Sequence, residues 1–260
     1  MKLAITGKGG VGKTTLTALL AQVYAGSGKQ VLAVDADPSP CLAGALGFPE
    51  ELRARLRPIA EMEALIEERT GAKPGTVGGF FTINPRVDDI PERFSLLHRG
   101  VRLLEMGAVD LGGSGCICPE SAMLKTLFTH LLFRQDELLI LDMYAGVEHL
   151  GRATVDFVDA MLVVAEPTRR SLGTAAQIKK LANDIGLTRL WLVGNKVRDE
   201  AERRFLEEAS PGLPLIGCLP ADLAVQEADR TGRAVYDHVP ALRLEAEAIA
   251  GRLSQLLERA

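Results

Sequence analysis

The stretch Gly7-Lys8-Gly9-Gly10-Val11-Gly12-Lys13-Thr14-Thr15 sits between the apolar run Leu3-Ala4-Ile5 and the helical pattern Leu16-Thr17-Ala18-Leu19-Leu20. A strand, a glycine-rich loop and a helix in that order make a phosphate cradle. The glycines let backbone N–H groups turn inward on an anion, and the helix N-terminus adds its positive end. In this reading Gly7, Gly9, Gly10, Val11 and Gly12 form the loop, with Thr15 just inside the helix. Lys13 reaches the β/γ-phosphates and the Thr14 hydroxyl binds Mg²⁺. The same residues contain Gly7-x-Gly9-x-x-Gly12, with Asp35 about 20 residues further on, which formally matches a dinucleotide fingerprint. A Rossmann loop has no use for a lysine and a threonine directly after its third glycine. The P-loop reading, with ATP/ADP and Mg²⁺ as ligands, is therefore preferred. Lys8 is an additional lysine at the start of the loop.

Outward from the loop, short apolar runs alternate with helical patterns. Residues 2–6, 31–35, 101–106, 138–142, 160–165, 190–194 and 214–218 read as strands. Their continuous apolar character predicts strands buried on both faces, as in a parallel sheet. Helical patterns fall at 14–27, 50–68, 120–133, 168–185, 199–209 and 241–258. The expected fold is α/β, a doubly wound, mainly parallel sheet flanked by helices, in a single P-loop NTPase domain over 1–260. Residues 71–100, rich in Gly, Pro and Asp, read as an irregular surface excursion, and 241–258 as a C-terminal helix.

Composition narrows the function. At 260 residues, 47% hydrophobic and 25% charged, the chain has ample core material. A net charge of −4 argues against a nucleic-acid binder held by phosphate contacts. No apolar run approaches a membrane span, and no signal-peptide pattern precedes the first strand, so a cytoplasmic location without disulfides is expected.

Further polar residues stand at strand ends, where ligands bind in open α/β sheets. Asp35 and Asp37, in Val34-Asp35-Ala36-Asp37-Pro38, can orient Mg²⁺-bound and attacking water, although Asp before Pro is also a common turn. Leu138-Leu139-Ile140-Leu141-Asp142 has the Walker-B form, which holds Mg²⁺ through a water. Gly146 behind it gives the next loop freedom to respond to the γ-phosphate. Asn195, followed by Lys196, offers a donor and an acceptor suited to an adenine edge, and Pro220, Ala221 and Asp222 offer contacts to the base.

These motifs, in this order, resemble the deviant Walker A ATPases of the MinD, ParA and nitrogenase iron-protein type. The carrying residues are Lys8, Asp35, Asp37, Asp142 with Ala145-Gly146, and Asn195-Lys196, and the resemblance runs from residue 1 to about 235. It implies a nucleotide-bound homodimer in which Lys8 acts on the partner's phosphates. The catalytic set it implies is Lys8, Lys13, Asp37 and Asp142.

The glycine-rich loop Gly112-Gly113-Ser114-Gly115-Cys116-Ile117-Cys118-Pro119 places two thiols near a helix start, where a lowered pKa favouring metal binding is expected. Two sulfurs cannot complete a four-coordinate site, whereas a two-fold dimer supplies four. This loop, with Arg102–Gly107 and Gly146-Val147-Glu148-His149-Leu150, resembles the CooC-type accessory ATPases of carbon monoxide dehydrogenase. The resemblance implies Ni²⁺ or Zn²⁺ bridged between subunits by Cys116 and Cys118, and nickel insertion into carbon monoxide dehydrogenase as client. His149 is read as a structural histidine, Cys41 and Cys218 as packing residues, and Trp191 as core. Two rivals stand beside this: a MinD- or ParA-like positioning ATPase, and an iron–sulfur electron-transfer ATPase. The acidic residues of 241–260 argue against a membrane-surface helix, and a cysteine pair two residues apart differs from well-separated cluster ligands.

Overall fold

The apolar runs pair edge to edge in one sheet. In a computed structural model, which describes residues 1–76, 80–107, 118–134, 137–144 and 157–258, the strands are β1 (Lys2–Gly7), β2 (Val31–Ala36), β3 (Leu96–His98), β4 (Val101–Glu105), β5 (Leu138–Met143), β6 (Ala160–Ala165), β7 (Leu190–Val197) and β8 (Leu215–Pro220). They form an eight-stranded sheet in the order β3-β4-β2-β5-β1-β6-β7-β8. Every pairing is parallel except that of β3 with β4. β2, β5 and β6 are buried along their whole length. That is the cost-free place for runs such as Ala160-Met161-Leu162-Val163-Val164-Ala165, since helices cover both faces.

The helices are α1 (Lys13–Gly26), α2 (Leu42–Ala45), α3 (Glu50–Arg53), α4 (Glu63–Thr70), α5 (Ile90–Phe94), α6 (Pro119–Phe133), α7 (Arg169–Ile185), α8 (Glu200–Ala209), α9 (Ala224–Thr231), α10 (Val235–His238) and α11 (Pro240–Glu258). One face of the sheet packs on α1, α10 and α11, with Leu3, Ile5, Leu16, Ala33, Ile140 and Ile249 in its core. The other packs on α4, α6 and α7, with Ala4, Val34, Leu104, Leu127, Phe128 and Ile178. Alternate residues of each strand divide between the two cores, as the period of two requires. The doubly wound expectation is met. No helix among the described residues is long and apolar enough to cross a membrane.

Two expectations are corrected. The single helix at 50–68 is instead α3, a 3₁₀ turn (Ile59–Glu61) and α4. Pro58 stands where the helix would have to run on, and its ring and missing N–H end it. The stretch 71–100 is more ordered at its end than composition suggests. It contains α5 and β3, which turns into β4 through Arg99 and Gly100 at φ 51° and 81°. Two successive positive φ values mark the tight hairpin turn whose twist matches the strands.

Candidate nucleotide-binding site

The P-loop lies beyond the end of β1, the central strand between β5 and β6. This is the crevice where open α/β sheets bind ligands. Gly12 takes φ 93° as it enters α1, and no side chain caps the helix. No acidic residue occupies the first turn of α1 either, so the N-terminal N–H groups and the positive end of the dipole are left for an anion. Lys13 is buried and Thr14 and Thr15 are half-buried, whereas Lys8, Gly9 and Gly10 are exposed. The Lys8 side chain has no polar partner among the described residues.

The end of β7 braces this loop. Asn195 is buried, and its Nδ2 donates to the Val11 carbonyl at 2.7 Å while its Oδ1 accepts from Lys196 N at 2.9 Å. Lys196, held at φ 58°, donates from Nζ to the Gly10 carbonyl at 2.8 Å and to Glu166 Oε1 at 2.6 Å. The sequence reading placed this pair at the adenine. In the structure the Lys196 ammonium is taken up by Gly10 and Glu166, and Asn195 keeps one N–H and one lone pair for anything else. Both residues still line a cavity of about 330 Å³ with Gly12, Pro220, Ala221 and Asp222. Asp222 Oδ1 is engaged in accepting from Ala224 N at 2.8 Å.

Three carboxylates stand side by side at the ends of β4, β2 and β5. Asp35 is in register with Glu105 on one side and Asp142 on the other, so all three project from the face that carries α1. Their environments differ. Asp35 accepts from Asp37 N at 3.1 Å and from Cys41 N and Leu42 N, each at 2.9 Å. It organises the turn after β2. Burial still pushes its pKa up, against those N–H groups. Asp142 is 1% exposed, and among the described residues neither carboxylate oxygen has a hydrogen-bond partner. Burial, and behind it the charge of Asp35, pushes it up to about 7, although the nearby Thr14 hydroxyl and Lys13 oppose this. Glu105 is likewise pushed up to about 7 by burial, with Asp35 and Glu61 adding to it. Glu105 falls inside the strand expected at 101–106, and nothing in its local sequence marks it as a neighbour of Asp35. Asp37 is half-buried, and its Oδ1 accepts from Ser39 N at 2.9 Å.

An unpartnered buried carboxylate is costly unless a cation meets it. Asp142, opposite the Thr14 hydroxyl, fits the Mg²⁺ expected at a P-loop: hard oxygen donors with room for phosphate and water. No three His, Cys, Asp or Glu side chains converge on a metal position among the described residues.

The cysteines depart from expectation. Cys41 is exposed rather than packed, and its Sγ lies 3.6 Å from Thr14 Oγ1. It lines a cavity of about 240 Å³ with Thr14, Thr15 and Gly44. Cys218 is buried in β8 and Trp191 in β7, as read from sequence. Cys118 precedes Pro119, which opens α6 as expected, and its Sγ lies 3.0 Å from Ser121 Oγ. Its thiol pKa is raised, not lowered: burial dominates, and Glu120 adds to it. Cys116, Ala145, Gly146, Glu148 and His149 lie outside the described residues. A larger groove of about 620 Å³ between residues 83–88 and α6 shares no residue with the P-loop.

The model of the CobQ/CobB/MinD/ParA nucleotide binding domain matches residues 2–235. The chain is 46% identical over 259 residues to the carbon monoxide dehydrogenase accessory protein CooC of Rhodospirillum rubrum, covering all of this chain and 97% of that one. It is also 46% identical, over 238 residues, to an uncharacterized ATP-binding protein of Methanocaldococcus jannaschii, covering 90% and 91% of the two chains. Among solved structures, the MinD cell division protein of Aquifex aeolicus superposes with TM-score 0.68 at 21% identity, over 98% of this chain and 96% of that one. The septum site-determining protein MinD of Pyrococcus horikoshii, complexed with Mg-ADP, gives 0.66 at 20%, with the same coverage. At these identities the structural likeness speaks for the fold.

Proposed function

The chain belongs to the CobQ/CobB/MinD/ParA nucleotide-binding family and is an ATPase, and on that premise we propose that it is a homodimeric maturation factor coupling ATP hydrolysis to nickel handling for a carbon monoxide dehydrogenase. The observation that carries its chemistry is Asp142, buried with two unpartnered oxygens opposite the Thr14 hydroxyl. The end-to-end identity with the Rhodospirillum rubrum protein supports the client. A cytoplasmic site of action accords with this role.

In the proposed mechanism the triphosphate lies on the N–H groups of residues 9–15, and Lys13 neutralises its β/γ end. Thr14 and Asp142 would hold Mg²⁺, which when bound supplies positive charge to the phosphate oxygens. Asp37, with Oδ2 left over beside the bond to Ser39, orients the attacking water. The base occupies the cavity walled by Asn195, Pro220, Ala221 and Asp222. Lys8, exposed and without a polar partner among the described residues, serves the phosphates of the other subunit. Charge supplied across a closed dimer acts on the transition state more than on the resting nucleotide. Lys8→Ala should therefore lower single-turnover hydrolysis by roughly 10²-fold and change nucleotide affinity by less than about tenfold. Equal losses in both, measured by rapid quench and by calorimetry, would place Lys8 on its own nucleotide.

The metal half of the proposal rests on the Cys116/Cys118 pair. Closure of the dimer brings two pairs together, so Zn²⁺ or Ni²⁺ bridges the subunits as cargo and favours the same closed state as ATP. The raised Cys118 pKa does not prevent this, because a metal displaces the thiol proton. Cys116→Ser or Cys118→Ser should abolish metal-driven dimerisation, read by light scattering, while nucleotide still binds. Retention of one metal per dimer at wild-type affinity in either variant would overturn the bridging model.

A further inference from the structure

The Cys41 thiol stands beside the hydroxyl that a nucleotide-bound cation would use. The backbone that carries it is held in place. The backbone N–H of Cys41 is tied to Asp35 Oδ2 at 2.9 Å, as is that of Leu42. Sγ then lies 3.6 Å from Thr14 Oγ1. Behind both is Asp142, 1% exposed, with two unpartnered carboxylate oxygens. Its charge acts on the Cys41 thiol as well as on Thr14.

We propose that Thr14, Asp142 and Cys41 form a mixed oxygen–sulfur site at which a thiophilic divalent cation of the zinc class replaces Mg²⁺ on the bound nucleotide and arrests hydrolysis. The inference rests on the assignment of Thr14 and Asp142 as the cation-holding pair, and adds to it a third ligand and a second class of metal. A tetrahedral cation with bonds of about 2.3 Å to sulfur and 2.1 Å to oxygen holds those two donors about 3.6 Å apart. The observed separation is the same. Mg²⁺ takes oxygen donors in an octahedron and has no use for the thiol. For a borderline-soft cation the thiolate replaces a water and a nucleotide phosphate oxygen completes four-coordination. As the metal–sulfur bond forms, the Cys41 proton passes to solvent, so the raised pKa of the thiol, caused by partial desolvation and the neighbouring carboxylates, is no obstacle once a dication is present. This site draws its three side chains from one subunit and uses neither Cys116 nor Cys118.

That independence supplies the test. Full-length Cys116→Ser/Cys118→Ser protein with ADP is titrated with Co²⁺, whose thiolate charge-transfer absorption in the near ultraviolet reports sulfur ligation. One such band per chain is expected, suppressed by excess Mg²⁺ and lost when Cys41→Ser is added. In parallel, Zn²⁺ inhibition of each variant is referred to that variant's own Mg²⁺-only rate. Cys41→Ser should weaken it by at least about tenfold, since even outer-shell partners of a metal are worth that much. Cys41→His, which fits into the adjoining cavity of about 240 Å³, should restore cobalt binding without the thiolate band. This keeps the test alive if the serine variant misfolds. Absence of the band in the double variant, or its survival after Cys41→Ser, overturns the proposal. Failure of the underlying assignment looks different: Asp142→Asn would then leave Mg²⁺-dependent hydrolysis intact.

Discussion

Asp142→Asn is expected to lower ATP hydrolysis by roughly 10²–10³-fold, the scale of losing one preorganised electrostatic contact in a dry site, while leaving the nucleotide-free protein as stable as the parent or more so. The two effects have one origin. The carboxylate is buried and unpartnered, so in the absence of ligand it is held against its solvation preference. Asparagine keeps the shape and removes the charge. The sign of the pH dependence follows from the raised pKa of about 7. The unfolded chain ionises this group near pH 4, while the folded chain keeps the proton to about pH 7. Across that window the folded state binds more protons, so stability falls as pH rises. Glu105, also pushed up to about 7, adds to the same slope. Melting without nucleotide or divalent cation should show the parent losing on the order of a few kcal/mol between pH 4 and 8 through such groups. The Asn variant should be spared the share due to Asp142. If the variant instead melts lower than the parent at pH 8, the carboxylate is not strained in the empty site and its assignment loses its physical basis.

Gly12→Ala is expected to destabilise the protein by roughly 2–4 kcal/mol and to remove measurable nucleotide binding. Gly12 has φ 93°, a conformation that costs any other residue strain. A methyl group there would also come within 2.0 Å of Asn195 Nδ2. The amide must then give up the Val11 carbonyl, leaving a buried donor and a buried acceptor unpaired. Asn195→Ala loses the same bond without the clash or the strain, so it should cost only about 1–2 kcal/mol. Chemical denaturation of the two variants and their combination would check this. In Gly12→Ala/Asn195→Ala the methyl no longer meets the amide, so the combined loss should fall below the sum.

What was legible in the sequence was whatever the backbone itself dictates. Gly7 to Thr15 announced a strand-to-helix turn because few other loops need those glycines followed by Lys and Thr. The runs at 138–142 and 160–165 announced buried parallel strands because nothing else hides so many consecutive apolar residues. The misses are cases in which the partner, not the local residue, decides. β3 is three residues long and exists only because β4 offers it an edge. Cys41 read as packing from its apolar neighbours, but the turn pinned by Asp35 carries it out to Thr14. Glu105 acquires its unusual environment through burial first and then through register with Asp35, neither of which its own neighbours in sequence reveal. At Pro58 the fixed φ and missing N–H outweigh the helical periodicity on either side of it. The sequence puts Asn195 at a strand end near the P-loop, and its amide braces that loop at the Val11 carbonyl; whether an amide faces a base or a backbone carbonyl is a matter of orientation that no spacing reveals.

The three N–H groups gathered by Asp35 link functions that sequence distance keeps apart. One side chain fixes the backbone of Asp37, proposed above to orient the attacking water, and of Cys41, proposed to take up the cation. A cation that pulls on the sulfur therefore pulls on the lever that aims the water. On those two assignments the turn after β2 would work as a rocker with Asp35 as its pivot, carrying the identity of a metal at one end to the alignment of a water at the other within a single site.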